Sequence, residues 1–236
     1  MEAPLSPSLP FSFSKGIILP LLLWMVFTPW SGELDLKTSH AFYNDGAFTS
    51  NPFWSWLYFY GLLPAWITVF IAILGFIFSF KKKYRSWRTP ALYLLLTFAI
   101  GSGLIIHAAL KDHWGRPRPR QVTEFGGLQP YRPYYEPNID KLSEPSKSFP
   151  CGHASLGYYF FAFVFLGSIY RSRLIYWLGF ALAGSLGISL SIARIAQGGH
   201  FLSDTIASAL IMWLVSWGIA YWLFAKEKSR SEKSNA

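Results

Sequence analysis

Six apolar stretches, each close to the length of a helix that crosses a bilayer, divide this chain and leave little room for any other plan. They fall near residues 9–30, 54–80, 91–110, 154–170, 174–192 and 205–225. A spanning helix needs about 20 mostly apolar residues. Every backbone amide inside lipid must find its partner within the protein, which permits only helices or a closed barrel. Barrel strands would alternate apolar and polar positions over about 10 residues, whereas these runs are continuously apolar and so read as helices. Only 14% of the chain is charged, well under the roughly 25% of a soluble domain. Trp30, Trp54, Trp87, Trp177 and Trp222 lie near stretch ends, where membrane proteins carry their interfacial rings. The expected fold class is therefore all-α: a polytopic membrane protein with six transmembrane helices. One domain covers 1–236, with a long outer loop at 112–149 and a solvated, disordered tail at 226–236. The first stretch is interrupted by Lys15, Pro20 and Pro29 and by itself resembles a secretory leader. No small-x-small cleavage site follows it and five more spans do, so it is read as a span.

The charges between stretches orient the bundle. Lys81, Lys82, Lys83, Arg85 and Arg88 follow the second stretch, Arg171 and Arg173 the fourth, and Lys226, Lys228, Arg230 and Lys233 the sixth. All three places fall on one side of a six-span protein, and the excess of Lys and Arg makes that side cytoplasmic. The net charge of +9 is thus punctuation between spans. It forms no basic stripe, and a nucleic-acid partner is not expected. The single cysteine excludes an intrachain disulfide. Segments 31–52, 111–150 and 194–204 face outward.

Those outward segments hold three polar clusters: Lys111 to Pro119, Pro150-Cys151-Gly152-His153, and Arg194 to Asp204. In the third, His200 and Asp204 are four apart, so on a helix they share a face. A carboxylate that takes the proton of one ring nitrogen leaves the other free to attack phosphorus. Arg194 precedes them across Gly198 and Gly199, and its planar fork suits two phosphate oxygens. In the second, Gly152 opens a span where free backbone N–H groups favour an anion, and His153 is placed to protonate a leaving oxygen. Lys111 and Arg118, in the first, suit the charge that spreads over phosphoryl oxygens in a transition state. Simpler readings exist for each. A cation at a span end also arises by snorkelling, a lone interfacial His as a hydrogen-bonded structural group, and His153, His200 and Asp204 as a His2Asp metal site. Three neighbouring cations disfavour a metal ion and favour a phosphate. Cys151 as a nucleophile lacks the Cys-x5-Arg loop that would serve it, since Gly157 stands six residues on. His107 reads as structural or supporting, and His40 and His113 stand apart from the clusters.

The three clusters resemble the signature of the type 2 phosphatidic acid phosphatase superfamily, Lys-x6-Arg-Pro, Pro-Ser-Gly-His and Ser-Arg-x5-His-x3-Asp. Here they read Lys111-x6-Arg118-Pro119, Pro150-Cys151-Gly152-His153 and Ala193-Arg194-x5-His200-x3-Asp204, within about 91–225. The resemblance implies an outward site with His200 as nucleophile, Asp204 as its orienting group and His153 as acid and base. Lys111, Arg118, Cys151, Gly152 and Arg194 would bind phosphate, with no metal and no cofactor. It further implies a bacterial inner-membrane enzyme with a periplasmic or extracellular site. The substrate would be a membrane phospholipid such as phosphatidylglycerophosphate or phosphatidic acid, an isoprenoid lipid such as undecaprenyl diphosphate, or a lipid A phosphate. A lipid phosphotransferase, or a non-catalytic binder or transporter of anionic lipid, would carry the same cations. Cys151 and Ala193 depart from the signature, each replacing a serine. A thiol is a weaker donor than a hydroxyl. No signal in the sequence indicates an oligomeric state.

Overall fold

The computed structural model describes residues 12, 14–49, 51–138 and 146–234, with the backbone alone for Lys15 and 225–234. Among the described residues, six helices are long and apolar enough to cross a membrane. They are α1 (Gly16–His40), α2 (Pro52–Phe78), α3 (Lys82–Lys111), α4 (Gly152–Ile169), α5 (Arg173–Ala196) and α6, whose spanning part is Leu202–Phe224. The only paired strands described are a two-residue hairpin between α1 and α2, β1 (Tyr43–Asn44) antiparallel to β2 (Ala47–Phe48). The protein is an all-α polytopic bundle, as its apolar runs require.

Helix α4 is the axis of this bundle, with 72% of its apolar window buried against 6% for α1. Without a hydrophobic force between helices in lipid, close backbone approach through small residues is what packs them. Gly157, Gly167 and Gly179 do this here, and a side chain at any of them would strike the backbone of the facing helix. Tyr93, Phe165, Ile169, Trp217 and Phe224 fill the half toward the basic connections, and Ile106, Leu156, Tyr159, Phe160 and Met212 the middle. Among its described residues, the long loop between α3 and α4 contains short 3-10 turns at Pro119–Gln121 and Thr123–Phe125.

Three expectations are corrected. Residues 31–40, expected as outer loop, continue α1 through Ser31–His40. Their polarity masks a stripe at four-residue spacing, Ser31, Asp35 and Ser39, that is fully buried. Residues 9–11 and 13 of the expected first span lie outside the described residues. The tail is helical to Ser234 rather than disordered from 226; its Lys, Glu, Arg and Ser residues are mostly good helix formers and propagate α6. Third, His200 is not on α6. It stands in the turn before Leu202.

Candidate active site

Six helix ends meet on the face opposite the basic connections. The C-terminal ends of α1, α3 and α5 bring Asp35, Lys111 and Arg194, and the N-terminal ends of α2, α4 and α6 bring Tyr58, Gly152 with His153, and Asp204.

His200 is buried to 1% exposure. Its Nδ1 lies 2.5 Å from the carbonyl oxygen of Ser148. A carbonyl only accepts, so Nδ1 carries the proton and Nε2 keeps its lone pair. Burial, with Arg194 and Lys111 adding to it, holds the imidazole down to about 4 against the pull of Asp204, so the ring is uncharged at neutral pH. Asp204 Oδ2 lies 3.7 Å from Nδ1, beyond the direct hydrogen bond expected from the sequence. Its oxygens are occupied by Arg116 Nη1 at 2.5 Å, Ser148 Oγ at 2.6 Å and the Phe201 N–H at 2.7 Å. The last is the reach-back of an N3 carboxylate to the residue that caps a helix, and it closes the turn that carries His200. Ser148 therefore clamps both groups, its carbonyl accepting from His200 and its hydroxyl donating to Asp204.

Arg116 lies behind this pair, with no exposed side chain and all five N–H donors used. It donates to Asp204, Ser203, Asp35, Tyr131 and the Arg132 carbonyl, and its guanidinium lies 4.5 Å over the Phe201 ring. Burial opposes its charge, but Asp204 and Asp35 outweigh that and raise its proton affinity. Asp35 accepts four bonds, from Arg116, Tyr131 and the N–H and hydroxyl of Ser203, a donor set that suits an ionised carboxylate. Arg116 thus bridges the two carboxylates, and Asp204 is the one that lies next to His200.

Arg194 and Lys111 act on His200 electrostatically. Lys111, Arg118 and Arg194 are within electrostatic reach of one another and of Cys151. Burial, then Arg120 and Arg194, hold the Arg118 guanidinium below its ordinary value. Cations crowded this way repel, and a doubly charged anion among them would relieve the repulsion. Arg194 is braced by Gln197, which accepts at 2.6 Å, and its guanidinium packs on the backbone of Gly199, where a Cβ would collide with Nη2. Gly198 makes the turn with φ +61°, a conformation that favours glycine.

His153 faces these cations from the first turn of α4, and its ring stacks on Tyr58. It also lines a cavity of about 360 Å³ with Leu62, Trp66, Phe98, His107 and Leu156. Cys151 is buried and caps α4, its Sγ accepting from the Ala154 N–H at 3.5 Å. Burial pushes its thiol up, away from the thiolate that a nucleophile requires. Among the described residues no three His, Cys, Asp or Glu side chains are placed to hold a metal ion, so the His2Asp arrangement does not assemble.

The fold thus gathers Lys111, Arg118, Cys151, Gly152, His153, Arg194, His200 and Asp204 at one end of the bundle. Sequence reasoning missed Arg116, Asp35, Ser148 and Tyr58. Arg116 had a signal, a second arginine two residues before Arg118. Asp35 had the buried stripe of small and polar residues at four-residue spacing.

Residues 91–228 match the PAP2 superfamily. The chain is 30% identical over 227 residues to a lipid A 4'-phosphatase of Francisella tularensis subsp. novicida (strain U112), covering 92% of this chain and 98% of that protein. It is 30% identical over 141 residues to a lipid A 4'-phosphatase of Rhizobium leguminosarum, covering 59% and 56% of the two. The protein of that name from Rhizobium etli is 29% identical over 143 residues, covering 58% and 49%. No solved structure matches the chain.

Proposed function

The chain belongs to the PAP2 superfamily and is a membrane lipid phosphatase, and from that premise we propose that it removes the 4'-phosphate of lipid A through a phosphohistidine on His200. The observation that carries the mechanism is the Nδ1 contact to the Ser148 carbonyl, which leaves an uncharged ring with a free lone pair on Nε2. Nε2 attacks phosphorus, the P–N bond forms as the P–O bond to the sugar breaks, and His153, which takes up a proton when the phosphate dianion binds beside it, gives that proton to the departing oxygen. Lys111, Arg118, Arg194 and the N–H groups at Gly152 hold the three equatorial oxygens, whose charge they are set to stabilise. His153, now neutral, takes a proton from water, which attacks phosphorus and releases inorganic phosphate from His200. Asp204, with Arg116 and Asp35 behind it, balances the imidazolium formed on attack. The substrate rests on the Francisella relative, whose match covers nearly the whole of both chains.

The site faces outward from the bacterial inner membrane in this reading, because the basic connections lie at the other end of the helices. The test is phosphate release by purified protein from lipid A, undecaprenyl diphosphate, phosphatidylglycerophosphate and phosphatidic acid, with the lipid A product mapped by mass spectrometry. Loss of the 4'-phosphate is expected. Release from another lipid with lipid A untouched overturns the substrate, and transfer of label to an added lipid faster than to water makes the enzyme a phosphotransferase.

A further inference from the structure

Tyr58 lies on α2, outside residues 91–228 that match the family, and outside all three motifs. Its ring is stacked on that of His153, centroids 4.2 Å apart and planes 22° from parallel. The guanidinium carbon of Arg194 sits 4.9 Å from the centre of the same ring. One aromatic side chain thus touches both the imidazole assigned to the leaving group and a guanidinium assigned to the phosphate. Stacking fixes the plane of an imidazole while leaving its nitrogens, at the ring edge, free to exchange protons. A cation over the ring face is held by the ring quadrupole. The position of Tyr58 is itself pinned. The adjacent Leu57 is buried against Leu190 and Ala193 of α5, and Ala193 precedes Arg194, so α2 and α5 are locked together beside the site.

The geometry points to Tyr58 as a positioning residue that holds the His153 ring in the plane from which it protonates the leaving oxygen, and ties that plane to Arg194. This rests on His153 being the general acid, as proposed above. The contact needs an aromatic face and not the phenol oxygen. A phosphate ester with an alkoxide leaving group depends on the proton from His153, whereas a nitrophenolate leaves without one. Loss of the ring should therefore slow the first class of substrate selectively. A role in folding alone, or in holding only Arg194, would slow both classes together.

The experiment is kcat/KM of the purified full chain in detergent for dodecyl phosphate and for 4-nitrophenyl phosphate, in Tyr58→Leu, Tyr58→Gln, Tyr58→Phe and His153→Ala. A well-placed general acid is worth about 10²–10⁴-fold and misplacement forfeits part of that. Tyr58→Leu and Tyr58→Gln are expected to lose about 10- to 100-fold on dodecyl phosphate and under about 3-fold on the nitrophenyl ester. Tyr58→Phe keeps both rates within about 2-fold, since the stacking face is retained. Equal losses on the two substrates, or no loss, overturn the assignment. His153→Ala separates the two levels. If it too fails to discriminate between the substrates, the general-acid reading falls and Tyr58 with it. If it discriminates and the Tyr58 variants do not, Tyr58 alone is wrong.

Discussion

The two histidines of the site occupy opposite surroundings. His200 is buried at the end of the bundle opposite the basic connections, its ring pinned by a backbone carbonyl and flanked by a carboxylate that Arg116, Ser148 and the Phe201 N–H hold in place. His153 is only partly buried, lies against an aromatic face, and opens onto an apolar cavity. A nucleophile that forms a bond to phosphorus needs one tautomer and one direction. A group that trades protons first with a lipid oxygen and then with water needs access to both. In the proposed mechanism this contrast sets rigid charge behind the nucleophile and adaptable packing around the acid.

The largest expected effect breaks the nucleophile side. His200→Ala should lower kcat by about 10⁴-fold or more, as removal of a covalent nucleophile does, with the protein still folded in detergent. His153→Ala should cost about 10²–10⁴-fold on lipid substrate, the usual worth of a general acid. Release of inorganic phosphate by membrane-reconstituted variants checks both. Activity of His200→Ala near that of the parent chain contradicts its role outright.

Next in size is the charge behind His200. Arg116→Leu leaves Asp35 and Asp204 buried without their cation, and breaking a buried pair in this way costs about 3–5 kcal/mol. A marked fall in Tm is expected. Arg118→Leu, at a half-buried position with its Nε unpartnered, should spare Tm and raise KM. If the two variants exchanged these phenotypes, the division into supporting and substrate-facing arginines would be reversed.

A smaller signature lies in pH. With His200 held down to about 4 in the fold and near 6.5 when unfolded, the unfolded chain binds the extra proton between those values. Stability tied to this residue is present above about 6.5 and declines as pH falls toward about 4. For activity, the acid limb of kcat/KM, which reports the free enzyme, should fall near pH 4. A limb near 6.5 that is separate from the substrate's own second ionisation, at about 6, would mean that the nucleophile is exposed to solvent.

The smallest effect concerns Cys151. Serine at an N-cap accepts more strongly than a thiol, so Cys151→Ser should keep activity or raise it, by at most roughly 2- to 13-fold for one hydrogen bond of about 0.5–1.5 kcal/mol. Cys151→Ala should fall lowest. Abolished turnover in a folded Cys151→Ser protein would assign the chemistry to the thiol.

The six spans were legible because lipid allows so few backbone solutions that apolar length alone selects among them. Their ends near 54–80, 154–170 and 174–192 fall within a few residues of α2, α4 and α5. The extension of α1 was not legible. Glu33, Asp35, Lys37 and His40 read as loop when hydropathy is the guide, yet the helix buries Ser31, Asp35 and Ser39 against the site and leaves the other charged groups exposed. The motif residues were legible from order and spacing. Their supports were not, since Ser148 acts through its backbone carbonyl, which any residue possesses, and the bond from Arg116 to Asp35 crosses 81 residues of sequence. The role given to Asp204 shows the same limit. A spacing of four suggested a shared helical face, whereas the turn at Gly198 and Gly199 brings His200 beside the carboxylate from outside α6.

The central claim is that a neutral His200, locked as its Nδ1–H tautomer, takes the phosphoryl group onto Nε2. Purified protein mixed with ³²P-labelled lipid A, quenched in alkali and digested, should yield one labelled peptide, the one containing His200. That label should survive alkali and be lost in acid, and it should be missing from His200→Ala. Label on Cys151, or no label together with inversion of configuration at phosphorus, would contradict the claim, because water would then reach phosphorus without a histidine between.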